Sequence, residues 1–368
     1  MDTSTLTSVF QAPGPFATVM LDVSHDSENA EHEHGLRVRS ACASLAEQGA
    51  DEATVTAVAE QLAELVRRGS PVSRVVVANR DGVLLDELAG VRFDDIHATW
   101  SPLPDLAPWV QHQDSRVTFV LAVVDHEGGD VAVYDSDVPE PQEQTTAGGE
   151  TDHVHKVPVG GWSALRYQHV TENVWARNAQ DVAEEINKHL LGGHRLVLLA
   201  GDPQSRPLVR EALMSTGADD SAEIVELESG SRAEDGGDEA MQQAIREALF
   251  SHVVTRDMEL TNELRERLGR DHAVATGARD VADAFVRGQV ETLLIDPPAA
   301  TEIDVDPSRH PGLVLGADVP ERPYPAHQAL LAAAALTGAA VSVVPGRTLG
   351  GAPVAALLRW DQDAPGSR

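Results

Sequence analysis

With 368 residues the chain is long enough for two or three domains of ordinary size, and at 42% hydrophobic residues it can bury real cores. Its 28 Lys and Arg stand against 59 Asp and Glu, a formal charge of −31, which opposes general affinity for DNA, RNA or an anionic membrane surface. Any RNA contact has to be local.

Cys42 is the only cysteine, which excludes an intrachain disulfide and a thiolate metal cluster and fits a reducing compartment. The opening MDTSTLTSVF has no basic region ahead of an apolar run, so a secretory signal is not expected. The apolar run Ala329 to Val344 is broken by Gly338 and is shorter than the roughly 20 residues of a membrane span. These features predict a soluble, cytoplasmic protein.

In chain order, FATVMLDV (Phe16 to Val23) reads as a strand, and Leu36 to Leu45 and Ala53 to Leu65 read as helices joined by a polar turn at Gly49 and Asp51. Strands SRVVVAN, GVLLDEL and DIHATW follow, and proline-rich PLPDLAPW (Pro102 to Trp109) reads as the connection out of a first α/β domain, residues 1–112. His32 and His34 with Glu31 and Glu33 are read as the solvated face of a charged helix; a metal site is the alternative.

A second domain, residues 113–230, opens on two apolar strands around a hairpin at Gly128 and Gly129. The polar stretch Pro139 to Asp152 shows no apolar periodicity and is expected to be disordered in isolation. After the helix discussed below, RLVLLAGDPQSRPLVREAL repeats a strand, turn and helix, and AEIVEL reads as another strand. Gly201-Asp202-Pro203 is read as an ordinary turn, with a ligand at the strand's carboxyl end as the alternative. A joint rich in Ser, Gly and acid, Ser229 to Gly237, leads into a third self-contained module, residues 231–368: a helix from about Met241 to Leu268, AVAT, a helix from Arg279 to Arg287, ETLLID, a helix near Gln328 to Leu336, and AVSVV.

The segment from His153 to Leu191 reads as a polar, glycine-bearing loop feeding one long amphipathic helix. Val170, Val174, Trp175, Ala179, Val182, Ile186 and Leu190 recur at three- and four-residue intervals and predict its buried face. Ser163 suits its N-cap, and Lys188, His189 and His194 its C-terminal end. The loop and helix start carry Lys156, Arg166 and Arg177 against Glu172 alone, with His153, His155 and His169 as further donors. Cations at a helix start oppose its dipole unless an anion sits there, so the segment points at something negative. A surface loop with incidental charges is the competing reading.

No Walker loop, GxSxG, HExxH or strand-borne GxGxxG is present, and no catalytic, metal or cofactor site is predicted. GGWSALRYQHVTENVWARNAQDVAEEI does resemble class-one peptide release factors, whose Gly-Gly-Gln tip precedes a Ser-Ala-Leu-Arg-Phe helix start. Gly160, Gly161, Ser163, Ala164, Leu165 and Arg166 match, with Tyr167 for the aromatic. Near the C-terminus, TGARDVADAFVRGQVETLLID resembles a second segment of that family through Gly277, Asp280, Gly288, Val290, Glu291, Thr292 and Leu293. The chain is most similar to bacterial, actinobacterial members of the release factor and Pelota superfamily, a branch that includes the ribosome hibernation factor Balon.

The resemblance implies a three-domain release-factor-like architecture, α/β throughout, with mixed sheets and a ribosomal-protein-like C-terminal domain. It implies the ribosome as partner, rRNA near the peptidyl-transferase centre as contact, and elongation factor Tu as a further partner. His155, Lys156, Gly160, Gly161, Trp162 and Arg166 are the expected RNA-binding residues. The departure is Trp162 at the position of the tip glutamine: an indole has one N–H donor and no acceptor, so it cannot organise a water as an amide does. It can stack on a base, a contact worth about 1–3 kcal/mol, or fold back on its own loop. The expected activity is therefore ribosome binding that idles or protects the particle without hydrolysis. The alternative is a peptidyl-tRNA hydrolase or rescue factor using Gln168 or His155.

Overall fold

In the run FATVMLD, Ala17, Val19 and Leu21 face one core and Phe16 and Met20 another, so the strand they form, β1 (Phe16–Asp22), is buried along its whole length. A computed structural model describes residues 1, 3–24, 29–64, 66, 71–125, 128–148, 175–216, 222–228 and 237–361. The fold is mixed α/β and divides into two units, Met1–Ser115 with Asp257–Arg368, and Arg116–Arg256.

In the first unit, β2 (Ser73–Asn79), β3 (Gly82–Ala89) and β4 (His97–Ser101) join β1 in an antiparallel sheet of order β3-β2-β1-β4. One face carries α2 (Ala30–Glu47) and α3 (Glu52–Ala63), whose Ala41, Leu45, Val58 and Leu62 pack on Val19, Leu21 and Val76. The Asp51 carboxylate caps α3 by accepting the Thr54 N–H at 2.9 Å. His34 is not solvated as expected. It is buried, with Nε2 2.7 Å from the Leu62 carbonyl oxygen, because α2 begins at Ala30 and turns this side chain toward α3. His32, Glu31 and Glu33 remain exposed.

The other face of the sheet meets the C-terminal part of the chain. There β10 (Val274–Thr276), β11 (Val290–Ile295), β14 (Ala340–Val343) and β15 (Val354–Leu358) form a sheet of order β10-β15-β11-β14. Around it lie α8 (Ala278–Val286), α9 (Pro297–Thr301), α10 (Ala326–Thr337) and the short pair β12 (Asp304–Val305) and β13 (Tyr324–Pro325). Ala326 through Ala335 of α10 are all buried, which six small alanines permit, and Gly338 ends the helix at φ 66°. Phe16, Met20 and Val75 share one hydrophobic cluster with Val281, Leu293 and Leu330.

The core therefore does not divide at 112/113 and 230/231 into separate first and third modules. The first of those positions falls inside α4 (Ala107–Ser115), and PLPDLAPW is not an exit linker: Leu103, Leu106 and Trp109 are buried in the shared cluster. Helix α1 (Ser4–Gln11), which no periodicity announced, packs along α10, with Thr3 Oγ1 donating to the Ala339 carbonyl and Thr7 Oγ1 to that of Ala335, both at 2.9 Å. Asp114 accepts the Val343 N–H at 2.8 Å and the Ser342 hydroxyl at 3.1 Å.

The Asp105 carboxylate lies between His327 Nε2 at 3.0 Å and His97 Nε2 at 3.4 Å, while Thr301 Oγ1 stands 3.4 Å from His327 Nδ1. Burial alone would raise the Asp105 carboxyl; hydrogen bonding to His327 and His97 outweighs it and holds the group well below the usual carboxylate range. The Thr301 hydroxyl donates to the Pro297 carbonyl at 3.0 Å, so its proton is committed and the group is a structural tie.

In the second unit, β5 (Thr118–Val124), β6 (Gly129–Asp135), β7 (Val138–Ala147), β8 (Leu196–Gly201) and β9 (Glu223–Glu226) make a sheet of order β7-β6-β5-β8-β9. Pairs β5–β8 and β8–β9 are parallel, and β5–β6 and β6–β7 antiparallel. Val120, Ala122 and Val124 face α5 (Trp175–Leu191) and α6 (Ser205–Ser215), whereas Phe119, Leu121 and Val123 face Ile245, Ala248 and Leu249 of α7 (Gly237–Arg270). The expected disorder of Pro139–Asp152 is corrected up to Ala147: β7 pairs along β6 through main-chain hydrogen bonds, which polar side chains do not prevent at a sheet edge.

Since the low Asp105 pKa stabilises the folded state above the carboxyl's unfolded value near 4, that contribution is lost as pH falls below about 4. Urea unfolding of the His327→Ala protein at pH 7 should show about 1–3 kcal/mol less stability, with a shallower decline than the native chain in acid. Equal stability and an equal acid profile would show that the tie carries no weight.

Candidate functional site

His155, Lys156, Gly160, Gly161, Trp162 and Arg166 lie between residues 149 and 174, outside the described residues, as do Ser163, Val170 and Val174. What is described is the frame on either side of that segment.

Strand register places the frame at one sheet edge. Ala147 pairs with Gly129, Gly129 with Val124, and Val124 with Gly201, so the ends of β7, β5 and β8 and the start of β6 lie in one row. The segment departs there, after Gly148, and the chain is next described at Trp175, where α5 begins. At the opposite edge α5 ends and feeds β8 at Leu196.

Gly128 makes this edge possible. Its φ is 150°, and a Cβ there would stand 2.1 Å from the Ala147 carbonyl oxygen. The Asp125 N–H bonds the Gly128 carbonyl at 2.9 Å, closing the turn. Gly201-Asp202-Pro203 behaves as a turn. The Asp202 N–H donates to the Val124 carbonyl at 2.8 Å, and its Oδ2 accepts the Gln204 and Ser205 N–H groups at 3.0 Å each, capping α6. The carboxylate already fills the helix N-terminus where a ligand's anion would sit.

The expected buried face of α5 is present in Ala179, Val182, Ile186 and Leu190, with Ala183 beside them, and Arg177 is exposed on its first turns. At its far end the rings of His189 and His194 meet edge to face at 6.1 Å; burial, then the neighbouring His189, holds the His194 imidazole below its ordinary pKa. His189 also lies 3.8 Å from Glu143 of β7 and 3.9 Å from Glu185.

The described edge is acidic. Asp125, Asp130 and Asp202 sit on it, and burial, reinforced by Asp125, raises the Asp130 carboxyl despite a 2.6 Å bond from Thr146 Oγ1. The local excess of cations in the sequence belongs to residues 153–177 and not to this edge.

Sequence spacing missed two polar groups, both assembled from distant residues: the Asp105, His97 and His327 tie, and a buried His310 whose Nδ1 is 2.6 Å from Asp283. Among the described residues no group of His, Cys, Asp and Glu could hold a metal ion, and no helix is long and apolar enough to cross a membrane.

Gly128→Ala should lower stability by about 1–3 kcal/mol and should loosen β7 selectively. In hydrogen exchange, the amides of residues 143–147 should lose protection before those of β8; uniform protection along the sheet would contradict this role for Gly128.

Residues 118–270 match the model of bacterial archaeo-eukaryotic release factor family 2. Uncharacterized protein Rv2629 of Mycobacterium tuberculosis is 27% identical over 301 residues, 77% of this chain and 75% of that one. Among solved structures, Archaeoglobus fulgidus Pelota aligns at 14% identity and a TM-score of 0.32, covering 79% of this chain and 80% of its own. S. cerevisiae Dom34, a translation termination-like factor interacting with Hbs1, aligns at 9% identity and a TM-score of 0.43 over the same shares. Residues 118–270, the part of the chain that includes the glycine-bearing segment and α5, are thus similar to a bacterial family of archaeo-eukaryotic release factors.

Proposed function

We propose that this protein is a ribosome-binding, release-factor-like factor that occupies the A site, sends the Gly160-Gly161-Trp162 loop toward the peptidyl-transferase centre, and idles or protects the ribosome without hydrolysing peptidyl-tRNA. The observation that carries the reading is the residue after the two glycines: within a release-factor family segment, the tip position is an indole and not an amide. Trp162 stacks on an RNA base, and Lys156 and Arg166 pair with phosphates at contact distance. Elongation factor Tu is the proposed delivery partner, as in the hibernation branch that the loop resembles, and the site of action is the cytoplasm.

The body's charge of −31 repels rRNA at long range, but screening cuts that repulsion beyond roughly 8 Å at physiological salt. Contacts made by the loop act inside that distance.

In a peptidyl-tRNA release assay on programmed ribosomes the native chain should give no release above background, and Trp162→Gln should give weak release at most, since an amide also has to be placed to within about an ångström. Robust release by the native chain would instead favour a hydrolase using Gln168 or His155. Lys156→Glu combined with Arg166→Glu should reduce co-sedimentation with ribosomes by tenfold or more at fixed salt, on the order of 0.7–1.4 kcal/mol per contact. Charge reversals within 139–148 should leave it unchanged or raise it. Equal binding by the double variant and the native chain would remove the loop from the RNA-facing end.

A further inference from the structure

Within the first unit a cavity of about 360 Å³ lies between α8 and the chain from Asp304 to His310, which is room for one small molecule. His310 lines it and is only 6% exposed. Its Nδ1 stands 2.6 Å from Asp283 Oδ1, and because a carboxylate only accepts, the Nδ1 proton is committed there. Nε2 is then the nitrogen left for a partner, and among the described residues it has none. An imidazole this buried, fixed at one nitrogen and unmatched at the other, is a group that a ligand in the cavity completes.

The charges around the cavity divide by whether they are already paired. Asp283 is engaged by His310. Asp306 accepts the Ser308 N–H at 3.1 Å and the Ser308 hydroxyl at 2.6 Å, and it meets Arg309 Nε at 3.4 Å. That one approach leaves most of the Arg309 donors unused, on a side chain that is 81% exposed. Arg279 on the first turn of α8 and Asp304 on β12 are exposed, and neither has an ion pair or a side-chain hydrogen bond among the described residues. Two guanidinium groups, one imidazole nitrogen and one carboxylate are therefore available to a ligand.

We infer that the cavity binds a small sugar phosphate, with the phosphate against Arg279, Arg309 and His310 Nε2 and the sugar hydroxyls donating to Asp304. Guanidinium groups match phosphate oxygens in charge and in geometry. A phosphate monoester also brings a proton, so Nε2 and a phosphate oxygen share one whichever of the two holds it. Asp304 decides the rest of the ligand. An unpaired carboxylate repels a bare anion, and it is matched by hydroxyl groups that a sugar carries beside its phosphate. A simple carboxylate ligand would meet the same repulsion without that return. The inference does not rest on the ribosomal reading.

Isothermal titration calorimetry of the full chain with ribose 5-phosphate, inorganic phosphate and ribose tests it. Ribose 5-phosphate should bind in the sub-millimolar range and at least tenfold more tightly than inorganic phosphate, while ribose alone should give no measurable heat. Arg279→Ala and, separately, Arg309→Ala should each weaken ribose 5-phosphate about tenfold. Asp304→Asn should bring the two phosphates to within a few-fold of each other, a change of preference that general damage to the fold would not produce. Arg279 and Asp304 are exposed and unpaired, so the melting temperatures of their variants should match that of the native chain. No binding of ribose 5-phosphate, equal binding of inorganic phosphate by the native chain, binding indifferent to both arginine variants, or an unchanged preference in Asp304→Asn would each overturn the site.

Discussion

Main-chain pairing along β6 determines where the loop-bearing segment leaves the second unit, because β7 has few apolar side chains to hold it by any other means. The ladder ends at the Gly129 to Ala147 pair, and there Gly128 approaches the Ala147 carbonyl more closely than any Cβ would allow. The apolar frame depends on the same edge: β5 is buried on both faces by strict alternation, with α5 and α6 on one side and α7 on the other. An exit point set by backbone hydrogen bonds and a helix set by a full apolar face make a rigid support for a segment whose chemistry is carried elsewhere.

Electrostatically the chain separates holding from contacting. The sheet edge where the 149–174 segment departs carries Asp125, Asp130 and Asp202, and the chain as a whole is strongly acidic, while cations collect in the sequence of that segment and at Arg177. On the proposed function, net charge opposes an RNA partner at long range and the few cations of residues 153–177 would supply both affinity and orientation.

In the first unit the polar groups that matter are far apart in sequence. Asp105 and His327 are separated by 222 residues and Asp114 and Val343 by 229, yet each pair sits in a hydrophobic surrounding where an unmatched carboxylate would be costly. These bonds join the N-terminal sheet to α10 and β14, and they make one core from chain segments that read as two modules.

Local pattern determined much of this protein by itself. Alternation in FVLAVV and LVLLA, the helical spacing of Ala179, Val182, Ile186 and Leu190, and the turn chemistry of Gly49 with Asp51 and of Asp202 are properties of neighbouring residues, so strands, helices and caps were readable from them. The family-like motif and the tryptophan at its tip are likewise local. Only the tertiary structure decided that Pro139 to Ala147 is a strand, since an edge strand is held by its partner's backbone and leaves no apolar signature of its own. It also turned His34 inward and put Trp109 in a core, because both depend on which element lies opposite. The union of the chain's two ends was beyond local reading for the same reason: a core forms between surfaces, and a periodic apolar face says that it will be covered without saying by what.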